Sequence, residues 1–467
     1  EISLGLVGSE MCIRDSYNGV QKERVFENAF LEYGCMKSMT APLNRKMYFL
    51  TDPIEDRAKD WLDYKINYQA TFAAQLMYPM VDTYEVMPWP DRIYQGLYRI
   101  AGTDQKERIP RSYSTQMQTM VNTLNDIRTS DKKITGTQGI GVLMANSLMF
   151  QRFPNHNGYD DPQFSSFYGQ TLPLLKRGIP VELVHMENTP FKETFKGLHI
   201  LVMSYSNMKP MKLEYHNYLA DWVKKGGILI YCGEDIDPYQ TVLEWWNTDG
   251  NEYKAPSEHL FEKMNLSRNP GEGTYRYGKG TVIVMREDPK HFVLKAGNDQ
   301  KYFETIASAY QKKIGKEIET KNSFIVERGP YTIAAVMDES VSKEPLTLSG
   351  LYIDLFDKDL PVLTSKQIQP GEQGYLYDLN KVSGKIKAKV LCGASRIYDE
   401  KVSKQSYSFV AKSPINTTNV SRVLLPRKPE KIRVNGKEEQ PEWDESSKTL
   451  LLSFENDPAG VNVSIEW

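Results

Sequence analysis

The sequence predicts an α/β chain that gives way to an all-β C-terminal part. Three patterns carry this reading. From residue 20 to 132, helical and strand-like runs alternate, with acids at the strand ends. From 133 to 318, fully apolar strand runs alternate with amphipathic helices. From 319 to 467, short alternating runs sit between turn signals. The first pattern reads as the C-terminal part of a (β/α)8 barrel, the second as a flavodoxin-like doubly wound sheet, and the third as β-sandwich. The expected divisions are 1–16, 17–132, 133–318, 319–392 and 393–467.

The first sixteen residues, EISLGLVGSEMCIRDS, fit none of these patterns. They show neither helical nor strand period, and Glu1, Glu10 and Asp15 break any signal-peptide reading. Leu6–Asp15 back-translates into DNA that resembles a transposase adaptor used to build short-read sequencing libraries. We therefore expect residues 1–16 to be adaptor-derived and the natural protein to extend upstream of Tyr17. The C-terminal end at Trp467 carries no such segment and is expected to be natural.

Composition excludes several classes. The net charge is −2 and there is no long basic run, which argues against nucleic acid or an anionic membrane as partner. No apolar run approaches the roughly 20 residues of a membrane span. The 28 Tyr and 7 Trp suit stacking on sugar rings as well as core packing. Cys35, Cys232 and Cys392 are far apart, so neither a disulfide framework nor a zinc pattern is expected. No metal or cofactor is expected at all. The compartment cannot be read from this stretch of chain.

In the first region, residues 20–39 place Phe26, Ala29, Phe30, Tyr33 and Met36 on one helical face. The strand run MYFL (47–50) leads into TDPIED. A helix is expected over 60–78, capped by Asp60, with Leu62, Ile66, Ala73, Leu76 and Met77 as its apolar stripe and Pro79 as its stop. The strand run DTYEVMPWP (82–90) follows. Then comes a helix capped by Ser112 or Ser114, carrying Met117, Met120, Val121 and Leu124. Barrel enzymes do their chemistry at the C-terminal ends of strands. The acids there, Glu85, Glu55 and Asp52, are the catalytic candidates. Trp89, Tyr84, Asp56 and Arg92 are the substrate-binding candidates. The plain alternatives are a salt bridge from Glu85 to Arg92 or Arg99, and helix N-terminal charge for Glu55 and Asp52.

In the middle region, the strands expected are IGVLMA (140–145), VELVHM (181–186), HILVMSY (199–205), ILIYCG (228–233) and TVIVM (281–285). Helices are expected over 164–177, kinked at Pro173 and stopped by Gly178, over 213–225, and over 300–313. The phrases FYGQTLPLLKRGIPVELVH, LHILVMSYSNMKP and LADWVKKGGILIYCGED resemble the glutamine-amidotransferase-like trimerisation domain of bacterial β-galactosidases. That resemblance covers roughly residues 139–313. It implies a catalytic barrel before this domain, β domains after it, and a homotrimer.

Amidotransfer itself is not expected. It needs a Cys nucleophile on a sharp strand-to-helix turn beside a His. The turn after ILVM holds Ser204, Tyr205 and Ser206, and Cys232 lacks a G-x-C-x-G frame. The run GEGTYRYGKG (271–280) follows no strand and opens no helix, so it reads as a hairpin or surface loop and not a phosphate loop. The segment GEDIDPYQ (233–240), backed by Trp245 and Trp246, reads as an interface sooner than a ligand site.

By the same resemblance the whole enzyme is a retaining glycoside hydrolase acting on a carbohydrate substrate. Such enzymes use two carboxyl groups about 5–5.5 Å apart. The acid/base lies on an earlier strand in these barrels, so the chain as it stands is expected to be inactive. The lost barrel front is expected to bare helix 20–39 and strand 47–50 and to promote association. A non-catalytic carbohydrate-binding or assembly protein, and a glycoside phosphorylase-like barrel enzyme, are the alternatives.

Overall fold

The structure, a computed structural model, describes residues 24–43, 45–51, 60–86, 91–150, 165–206, 208–382 and 387–467. The adaptor-like segment 1–16 lies outside the described residues. So do Asp52, Glu55, Asp56 and Trp89.

Helix α1 (Val25–Thr40) buries the expected stripe of Phe26, Ala29, Phe30 and Tyr33. This face is not bare, contrary to the expectation above. Phe30 packs on Tyr78 and on Phe324 of the later β region, both with ring centroids 5.2 Å away. Tyr33 meets Phe49 at 4.7 Å. Strand β1 (Phe49–Thr51) follows, then helix α2 (Trp61–Leu76), whose Asp60 cap accepts from the Asp63 amide at 3.0 Å.

The stripe expected on α2 is partly wrong. Leu62 and Ile66 are 47% and 52% exposed, while Tyr64, Tyr68 and Phe72 are buried one turn apart. These rings contact one another in sequence, Tyr68 stacking on Phe72, and reach Tyr98 and Tyr375. An aromatic row buries more area than the aliphatic one, so it turns the helix.

Strand β2 (Tyr84–Val86) lies parallel to β1, pairing Phe49 with Tyr84, Leu50 with Glu85 and Thr51 with Val86. With α2 between them this is a βαβ unit. A hairpin of β3 (Leu97–Arg99) and β4 (Lys106–Arg108) follows, which the sequence reading missed. The next helix, Arg111–Thr123, has Pro110 at its cap position and no side-chain cap, so neither Ser112 nor Ser114 serves. Proline fixes the entering backbone without a side-chain acceptor. Met117, Met120 and Leu124 are buried as expected.

The middle region forms one six-stranded sheet. Its strands are β5 (Ile140–Met144), β6 (Glu182–His185), β7 (Ile200–Met203), β8 (Ile228–Cys232), β9 (Gly273–Tyr277) and β10 (Gly280–Met285). The order is β6-β5-β7-β8-β10-β9, all parallel except β9. Without β9 this is the flavodoxin-like order 2-1-3-4-5. The glycine-rich run 271–280 is the β9–β10 hairpin, as expected. Helices Ser165–Leu175, Tyr215–Lys224, Pro256–Lys263 and Gln300–Ile314 connect the strands. Gly178 ends the first of them at φ +67°, and its amide donates to the Leu175 carbonyl at 2.8 Å. A side chain there would also strike the Lys321 backbone.

The remaining strands are β11 (Ser323–Arg328), β12 (Tyr331–Val336), β13 (Leu346–Asp354), β14 (Val362–Ile368), β15 (Gln373–Asp378), β16 (Lys389–Gly393), β17 (Arg396–Val402), β18 (Ser406–Lys412), β19 (Thr418–Leu424), β20 (Lys431–Val434), β21 (Lys437–Glu439), β22 (Glu442–Asp444), β23 (Thr449–Glu455) and β24 (Val461–Glu466). They make three antiparallel sheets, ordered β11-β12-β15-β13-β14, β16-β19-β23-β22 and β17-β18-β24-β20-β21. The last two face each other around Tyr407, Phe409, Leu450, Leu452 and Ile465. Asn435 and Gly436 both take positive φ, 48° and 81°, in the β20–β21 turn, as their pairing predicts. The first sheet instead shares its core with the α/β regions through Phe324, Ile333 and Tyr375.

Candidate functional site

Parallel pairing brings the C-terminal ends of β1 and β2 side by side, about 4.8 Å apart. The ends of these two strands, Thr51 and Val86, are therefore direct neighbours. Glu85 lies on β2 opposite Leu50, and its side chain is exposed. Among the described residues, no hydrogen bond or ion pair holds it. The alternative pairing with Arg99 is not formed: Arg99 binds Asp104 at 2.8 Å and the Thr103 carbonyl. The side chain of Arg92 lies outside the described residues.

Tyr84 behaves differently from Glu85. Its hydroxyl donates to the Val81 carbonyl at 2.8 Å and accepts from the Arg328 guanidinium. Burial pushes its phenol up to about 12. The ring is half-buried and engaged from within, so it acts as a strut under β2.

Arg328 is a residue the sequence reading missed. It stands at the end of β11, fully buried, and also donates to the carbonyls of Val81 and Arg128. A guanidinium with five fixed donors suits this gathering of backbone oxygens. Nothing in the local sequence ERGPY signals that a distant strand needs it.

The C-terminal ends of the middle sheet are the second place where an open α/β fold offers a site. Here side chains fill the space. At the switch between β5 and β7, Ser147 donates to the Lys209 carbonyl at 2.5 Å and accepts from the Lys209 amide at 2.8 Å. The Lys209 ammonium is buried on Asp237 at 2.8 Å, and burial lowers its pKa. Ser206 donates to Asp288 at 2.6 Å. Asp235 accepts from Tyr231, Ser257 and Arg286. Burial raises its pKa. Gly233, at φ +149°, leaves room for the Ser204 and Ser206 hydroxyls.

Cys232 is wholly buried, its thiol directed at the Met285 sulfur and its pKa raised by burial. Neither a base nor access would make it a nucleophile. In the segment that follows, Trp246 is buried and Trp245 half-buried, its indole donating to the Pro210 carbonyl at 2.8 Å. Ile236 and Leu243 project outward, 66% and 79% exposed. Among the described residues, no group of three or more His, Cys, Asp or Glu is placed to hold a metal, and no helix is long and apolar enough to cross a membrane.

No protein-family model matches the chain, and no curated protein matches it in sequence. Solved structures resemble it at low identity. The β-galactosidase from Bacillus circulans sp. alkalophilus is 12% identical, over 78% of this chain and 59% of that one, with a TM-score of 0.42. The β-galactosidase from the psychrophilic Marinomonas ef1 is 10% identical, over 80% of this chain and 59% of that one, with a TM-score of 0.40. The rhamnosidase from Novosphingobium sp. PP1Y is 10% identical, over 95% of this chain and 45% of that one, with a TM-score of 0.36. The chain therefore spans less than two thirds of the length of each.

Proposed function

We propose that this chain is the C-terminal portion of a retaining glycoside hydrolase of the β-galactosidase type, acting on a carbohydrate substrate. In this reading residues 17–132 close a (β/α)8 barrel, 133–318 form the amidotransferase-like domain through which three copies assemble, and the β11–β15 sheet and the β16–β24 sandwich are accessory β domains, divided before β16 and not at 392/393. The observation that carries it is the parallel register of β1 and β2, which sets Glu85 opposite Leu50 on the neighbouring strand, one residue before that strand's end at Thr51. Glu85 is uncommitted and exposed there, as a substrate-facing carboxylate must be. Tyr84, by contrast, supports the strand from behind.

In a retaining mechanism one carboxylate attacks the anomeric carbon. A second carboxylic acid protonates the leaving oxygen and later deprotonates water. Glu85, Glu55 and Asp52 are the candidates for the first role. The second belongs to a strand upstream of Tyr17, so the chain alone should not turn over aryl glycosides. Trp89, Asp56 and Arg92 would line the sugar site.

The test is long-read sequencing across the template of Tyr17, followed by assay of the joined chain. Further strand–helix units with a Glu at an early strand end are expected. Glu85→Gln should then cost about 10²–10⁴-fold in kcat. Turnover by residues 17–467 alone would overturn the truncated-barrel reading. A start codon just upstream would favour the second reading, an assembly or carbohydrate-binding protein. The exposed Ile236 and Leu243 beside the filled sheet end speak for that one.

A further inference from the structure

We propose that the outer face of the sheet β17-β18-β24-β20-β21 binds a neutral carbohydrate chain, a second ligand site independent of the barrel reading. Tyr407, Phe409 and Ala411 of β18 point into the sandwich core, so Ser408 and Val410 point out. The pairing sets Ser408 beside Ser464 and Val410 beside Asn462. These short side chains floor a groove of about 510 Å³. Ligand pockets commonly enclose about 300–1,000 Å³, so one or two sugar rings fit.

Longer side chains wall the groove. On one side Asp399 and Lys401 rise from β17, where the register shifts between Tyr398 and Lys401 and Asp399 takes φ +52°, while Glu400 turns inward to accept from the Tyr407 hydroxyl. Such a bulge bends a strand and re-aims its side chains. On the other side stands Arg433, held by Glu466 at 2.7 Å.

The chemistry of the lining selects the ligand. Among the described residues, the hydroxyls of Ser408 and Ser464 and the side-chain amide of Asn462 make no hydrogen bond within the protein. Ser406, on the same strand, is by contrast bonded to Ser403 at 2.7 Å. The floor thus offers free donors and acceptors together, which matches a ligand whose every hydroxyl is both. Asp399 and Glu466 balance Lys401 and Arg433 on this face, so neither a polyanion nor a polycation is favoured. The outward apolar side chains here are Val410 and its cross-strand neighbour Tyr398, 44% exposed, a ring face suited to stacking on a sugar and too little for an apolar peptide. A strand-pairing peptide would need a free sheet edge and not a face.

The test is native affinity electrophoresis of the whole chain through gels holding galactan, arabinogalactan, xylan, mixed-linkage β-glucan or dextran, one at a time. Retardation by at least one polymer is expected. Ser464→Phe, which fills the floor, should abolish it. Asn462→Ala, at an exposed position, should weaken it about 3–10-fold through a lost hydrogen bond. The thermal transition of each variant should match the parent, and if Ser464→Phe unfolds, Asn462→Ala decides. Migration unaffected by all five polymers overturns the proposal. So does retardation that a folded Asn462→Ala retains in full.

Discussion

The N-terminal βαβ unit and the middle sheet share one architecture and differ in what lies at their strand ends. Both set parallel strands side by side and gather polar residues where those strands finish. In the middle sheet these residues satisfy one another: Ser147 with Lys209, Lys209 with Asp237, Ser206 with Asp288, Asp235 with Arg286. At β2, no partner engages Glu85 among the described residues. A strand end becomes a candidate site only when its polar groups are not consumed internally. Position in the fold alone does not make one.

The largest effect should come from the consumed set. Asp237→Ala strands the buried Lys209 ammonium and should cost about 3–5 kcal/mol. Urea unfolding followed by tyrosine and tryptophan fluorescence would show it. A loss below about 1 kcal/mol would mean that water reaches the pair, and the contrast between the two regions would weaken.

Next come the buried charges that fasten the N-terminal unit to the rest. Glu27 accepts from the Asp338 amide, and burial raises its carboxyl to about 7 from 4.5. A raised folded pKa gives stability that is full below the unfolded value. That stability falls as pH rises from about 4.5 and is lost by about 7, on the order of 3 kcal/mol in all. Glu27→Gln keeps the acceptor and should flatten the unfolding midpoint over that window.

His185 should act with the opposite sign. It sits against Ser38 of α1, and burial lowers its ring to about 4 from 6.5. Its contribution is full above about 6.5 and falls as pH drops toward 4. His185→Gln should therefore reduce the acid sensitivity of the fold, seen as a smaller fall in midpoint between pH 6.5 and 4.

Arg328→Met should cost about 2 kcal/mol through lost charged hydrogen bonds. It should also speed amide exchange over residues 79–86 more than over the middle sheet. The smallest effect belongs to Glu85→Gln, within about 0.5 kcal/mol of the parent, because nothing in the described structure leans on that carboxylate. A larger loss would recast Glu85 as structural.

Much of this was legible in the sequence, because it rests on local pattern. The Asp60 cap, the Gly178 stop, the Asn435-Gly436 turn and the apolar strands of the middle sheet all follow from nearby residues. The stripe of α2 was misread because aliphatic residues were counted while Tyr64, Tyr68 and Phe72 were not. The strut of Tyr84 and Arg328 was invisible, since its partners lie far apart in the chain and share no motif. Glu85 was legible as a strand-end acid. That Arg99 leaves it unpaired was not, because Arg99 turns instead to Asp104 and the Thr103 carbonyl.

The Tyr84–Arg328 contact joins residues 244 positions apart. A ribosome adds about 5–20 residues per second, so Arg328 emerges roughly 10–50 s after Tyr84. Throughout that interval the β2 strand lacks its underside, and its apolar neighbours are open to whatever binds nascent chains. The N-terminal unit is made well before β11 and settles late, which leaves it for a chaperone to hold until Arg328 arrives.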